Sequence, residues 1–117
     1  MGKAKHHETI DLAASIRHLR AARRHLKDIS DEELEALPPE KRKEWTRLLQ
    51  ELSVAVTKLE TADLQNLSQE FVAKEPQLRQ AAAELDEDLA QLTDAIAMIE
   101  VASTAMKTVT EIVSLLA

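Results

Sequence analysis

Between Leu78 and Leu116 apolar side chains recur at steps of three and four, with no glycine or proline to interrupt them. That spacing follows the 3.6-residue turn of an α-helix and cannot alternate faces as a strand must. The first part reads as a heptad seam through Leu78, Ala82, Leu85, Leu89, Leu92, Ile96 and Ile99. The second part runs through Ile99, Ala102, Met106, Val109, Val113 and Leu116, with Met98, Val101, Ala105 and Ile112 alongside. Two consecutive steps of three, Ile96 to Ile99 to Ala102, form a stammer that rotates the apolar face around a continuous helix. Past it the apolar arc widens to roughly 160°.

The remainder of the chain has the same character. A helix predicted over 8–29 carries Leu12, Ile16, Leu19, Ala22, Leu26 and Ile29 on one stripe. Ser30-Asp31-Glu32-Glu33 is a capping box that opens a short helix, which Pro38 and Pro39 end after Leu37. A second long helix is predicted over 39–73, with Trp45, Leu48, Leu52, Ala55, Leu59 and Ala62 continued by Leu67 and Phe71. Pro76 then marks the break before a third long helix over 76–116. Residues 1–7 read as a flexible N-terminus and 8–117 as a single helical domain.

Short connections favour antiparallel neighbours. The predicted lengths put helix 8–29 alongside the third helix only from about Asp88 onward. The expected fold is therefore all-α: an up-down-up three-helix bundle or coiled coil, with a protruding helical hairpin over 61–88.

Composition narrows the chemistry. The 117 residues contain one glycine and no cysteine or tyrosine. No disulfide, thiolate nucleophile or glycine-rich phosphate loop can be built from them. His6, His7, His18 and His25 show neither the H-x-x-x-H nor the E-x-x-H spacing of helical metal sites and read as solvated. Ser103, Thr104, Thr108, Thr110 and Ser114 read as a solvent-facing polar strip. Neither a catalytic constellation nor a cofactor or metal site is expected, and the chain reads as a non-enzyme.

Charge is unevenly spread. Residues 17–47 hold nine basic and seven acidic groups, whereas 48–100 hold three and eleven. Arg17, Arg20 and Arg24, with Lys27, make a basic stripe on the first helix. A net charge of −6 and the acids Asp28 to Glu35 that follow argue against nucleic acid. Glu84, Asp86, Glu87 and Asp88 concentrate acid at the predicted hairpin, where a field of one sign can steer a basic partner. The last helix lacks the Lys/Arg-rich polar face of membrane-surface helices, so a membrane is not the expected partner.

The leading expectation is a cytoplasmic, non-enzymatic protein-interaction module that binds a protein partner or a second copy of itself as a homodimer. Partner contacts are expected at Glu84, Asp86, Glu87, Asp88 and Phe71, and on the stripe of Arg17, Arg20 and Arg24. One alternative, by analogy of size and charge alone, is a small acidic inhibitor of the immunity-protein or antitoxin kind, or a secretion chaperone, binding a basic partner. The other is a membrane-active helical component.

Overall fold

A computed structural model describes residues 10–116, so the expected flexible segment 1–7 and the predicted helix start at residue 8 lie outside the described residues. The described chain is all-helical. Its elements are α1 (Ala13–Lys27), α2 (Asp31–Ala36), α3 (Pro39–Glu60), α4 (Gln69–Gln91) and α5 (Ala95–Val113). None of them is long and apolar enough to cross a membrane.

Local chemistry explains most boundaries. The capping box at Ser30 forms as its residues dictate. Its hydroxyl accepts from Glu33 N–H at 3.2 Å, and the Glu33 carboxylate accepts from Ser30 N–H at 3.4 Å. Pro39 occupies the first turn of α3, where a missing N–H costs nothing.

Two boundaries differ from the sequence reading. The second long helix stops at Glu60, not at residue 73. Asp63 folds the following segment into a turn, accepting from Gln65 N–H at 3.1 Å and from the Asn66 amide at 2.6 Å. Its carboxyl is held below the usual value chiefly by the Asn66 hydrogen bond. Ser68 then caps α4 by accepting from Phe71 N–H at 3.1 Å. Pro76, expected at a break, therefore lies inside α4.

The third long helix is likewise two helices. Leu92 leaves α4 with extended backbone, and Asp94 caps α5 by accepting from Ala97 N–H at 2.9 Å. The stammer at Ile96–Ile99–Ala102 is the sequence trace of this break. Helix α5 starts afresh with its own apolar face, so the seam has no reason to stay in phase across residues 92–94.

These breaks convert the expected three-helix rod into four packed helices. α1 lies against both α3 and α4, and α5 against the same two. The pairs Arg20–Glu60 and Trp45–Leu26 show α1 and α3 running antiparallel. Lys41 faces Glu100 and Arg47 faces Ser103, so α3 and α5 run parallel. The 92–94 turn makes α4 and α5 antiparallel, and α1 and α4 are consequently parallel.

No protruding hairpin remains. Phe71, Leu78, Leu85 and Leu89 of α4 join Leu19, Leu26, Leu48, Leu52, Ile99 and Met106 in one core. Folding α4 back on α1 removes an apolar seam from water at roughly 25 cal/mol per Å², a gain that a two-helix arm could not match. Leu37 is buried and Leu34 half-buried, so α2 contributes to the same core.

Candidate protein-binding groove

The residues expected to meet a partner fall into three different environments. Arg17 and Arg24 are exposed on α1, while Arg20, on the same stripe, pairs with Glu60 of α3. Glu84, Glu87 and Asp88 are exposed on α4. Phe71 and Asp86 are not surface groups of that kind. Phe71 is wholly buried, because α4 starts at residue 69 and turns its first apolar side chain into the core.

Asp86 is half-buried where α4 meets α1. Its Oδ2 lies 2.8 Å from His18 Nδ1 and its Oδ1 lies 3.1 Å from His25 Nε2. Burial opposes ionisation of this carboxyl, but the hydrogen bonds from His18 and then His25 outweigh it and hold it below the usual value. His18 and His25, read from the sequence as solvated, are thus the two ends of a clamp between helices. Their spacing of seven residues, two turns along one face of α1, is the signal that could have found it.

A second polar cluster ties α3 to α5. Ser103, expected to face solvent, is half-buried and donates to Glu44 at 2.5 Å. That bond is the main reason the Glu44 carboxyl sits below its usual value. Partial burial works against it, and Lys41 and Arg47 add to it. Arg47 also faces Glu51 at 3.7 Å, so its charge is shared among groups of its own bundle.

Beyond this cluster the outer side of α3 opens into a groove of about 660 Å³ that reaches the C-terminal turn of α5. Leu49, Val54, Ala55 and Val113 supply its apolar lining, and Arg23, Arg47, Lys58 and Glu51 its charged groups. Val54 is the side chain that sequence reasoning missed. The core stripe of α3 is Leu48, Leu52, Ala55, Val56 and Leu59. Position 54 lies two residues past Leu52, roughly 200° around the helix, and so faces away from the core. It is 53% exposed. An apolar residue off the stripe was visible in the sequence, but which polar residues surround it was not.

The cations of the groove are unequally engaged. Arg47 is shared as described above. Among the described residues, neither Arg23 nor Lys58 has a carboxylate within ion-pair distance. Arg23 Nε is in addition buried without a hydrogen-bond acceptor. The groove thus offers an apolar floor and two uncommitted positive charges. No protein-family model matches this sequence, and comparison with curated proteins and with solved structures likewise finds no match.

Proposed function

We propose that this chain is a non-enzymatic protein-binding module whose partner seats an apolar side chain against Val54 in the α3 groove. The observation that carries the reading is Val54 itself, more than half exposed on a helix whose other large apolar residues are buried or half-buried. A groove that sets apolar side chains among polar and charged ones is a common form of recognition surface. Self-association through an exposed Phe71 edge drops out of the proposal, since that side chain is spent on the core. A homodimer would have to use another face.

A photo-crosslinking residue placed at position 54 in cells should give a defined adduct. The same residue at Gln80, exposed on α4, should not give it. Identical adduct patterns from the two positions, or none from 54, would remove the reading.

A second reading draws on Glu84, Glu87 and Asp88, which α4 turns outward. Three neighbouring acids can steer a basic partner at low salt. An association rate that is unchanged when these three are replaced by Gln, Gln and Asn would reduce them to groups that keep α4 soluble.

A further inference from the structure

The charge of the groove specifies its occupant more narrowly than its apolar lining does. Resting on the reading above, we infer that the groove accepts an amphipathic helix of a partner protein that carries acidic residues beside its apolar stripe.

The chemistry comes from the unmet requirements of the groove. A guanidinium or ammonium charge without a counter-charge beside it is best matched by a carboxylate. Arg23 lines the groove without a carboxylate partner among the described residues, and Lys58 adds a second such cation on the same side of α3. The single acid of the lining, Glu51, already faces Arg47 at 3.7 Å. A basic or neutral helix would fill the apolar floor and leave both cations unmatched. An acidic extended segment would match the cations, but it would not align apolar side chains along a groove that follows a helix. A helix with apolar residues at i, i+3 and i+4 and glutamates beside them meets both requirements.

A second copy of this chain is a poorer occupant. Its grouped exposed acids, Glu84, Glu87 and Asp88, stand on α4. The nearest large exposed apolar side chain on that helix is Val72, twelve positions away or roughly 18 Å along the axis. No face of α4 therefore sets these grouped acids beside a large exposed apolar side chain, and on α5 the exposed Ile96 lies one turn from Glu100, whose carboxylate already faces Lys41 at 3.7 Å. The acids of α2 are accompanied by exposed Ala36 and by Leu34, which is half-buried in the chain's own core.

The test uses the full chain, isotopically labelled, and two synthetic helical peptides with the same leucine stripe. One peptide has glutamates beside the stripe and the other has lysines. The glutamate peptide should move the backbone amides of Val54, Lys58 and Ser114 and bind about tenfold more tightly than the lysine peptide. Its affinity should fall as salt rises. Lys58→Glu, at an exposed position where the fold is not at stake, should abolish or reverse the preference. Arg23→Gln should weaken the glutamate peptide and should not weaken the lysine peptide.

Equal affinity for the two peptides with movement at the same amides would overturn the acidic assignment and leave the groove as a binding surface. Movement of those amides by neither peptide would overturn both. If raising the concentration of the chain alone shifts them, a second copy is the occupant and the inference is wrong. If vesicles of anionic phospholipid shift them more strongly than the glutamate peptide does, the cations serve a membrane surface and the inference is equally wrong.

Discussion

The indole Nε1 of Trp45 donates to the backbone carbonyl of Leu26 at 2.9 Å, joining the first turns of α3 to the last turn of α1. The Leu26 carbonyl belongs to the group at a helix C-terminus that lacks an intrahelical partner. Among the described residues, the one other donor to it is Ile29 N–H, at 3.3 Å. Trp45→Phe should therefore cost about 1 kcal/mol, the net value of one hydrogen bond, with little change in packing. Thermal unfolding followed by circular dichroism measures the loss. The chain has a single tryptophan, so the fluorescence of the parent protein also reports separation of α1 from α3. A variant as stable as the parent would mean that this bond adds nothing.

The clamp at Asp86 makes a pH-dependent contribution whose sign follows from its lowered pKa. The folded chain holds the Asp86 carboxyl below its ordinary value of 3.8, so the unfolded chain binds that proton more readily. The stabilisation is full above the ordinary value and is lost as pH falls through it towards the lower folded value. Asp86→Asn should cost about 1.5 kcal/mol near neutrality, and the gap from the parent should close as the solution is acidified below about pH 4. Denaturant unfolding across a pH series tests this. A gap that persists undiminished in strong acid would assign the effect to shape rather than charge.

Phe71→Glu separates this fold from a protruding hairpin. An exposed edge would tolerate the charge and merely lose a dimer contact. The observed burial instead forces an unpaired carboxylate into the core, at a cost of several kcal/mol against a typical domain stability of about 5–15 kcal/mol. The variant should lose cooperative unfolding, and so should Leu89→Asp, at a core site of the same helix. Phe71→Leu should cost only about 1–2 kcal/mol and leave the sedimentation behaviour unchanged. A folded, stable Phe71→Glu protein would contradict the packing of α4.

Pro76 stands inside α4, where it has no N–H to offer the carbonyl of Val72 one turn earlier. Its side chain is exposed, so replacement disturbs no packing. Pro76→Ala should raise stability by about 1 kcal/mol, and thermal unfolding should show it directly. A lower melting temperature would mean that the ring shapes α4 in a way alanine cannot.

Much of the candidate site was hidden from the sequence for a definable reason. The basic character of the region is visible in the sequence, but the stripe that helical spacing marks is Arg17, Arg20 and Arg24, and Arg20 pairs with Glu60, forty residues later. The groove uses Arg23 instead, beside Lys58 and Val54 from a different helix. Which cations stay uncommitted depends on which carboxylates the fold delivers to their neighbours, and periodicity along one helix carries no such information. The same holds for Asp86, grouped with Glu84, Glu87 and Asp88 in the chain yet turned towards two histidines of α1.

What the sequence determined by itself is local. Helix-forming composition, the 3.6-residue stripes through Leu19, Leu52, Leu85 and Val109, and the cap at Ser30 require an all-helical chain, because each is a property of residues within a few turns of one another. Tertiary structure decided the rest. A helix can continue through Pro76 or stop at Leu92 at modest local cost, and either outcome suits the stripe. The choice falls to what burying Phe71, Leu78 and Leu89 against α1 and α5 gains, which only the packed bundle can supply.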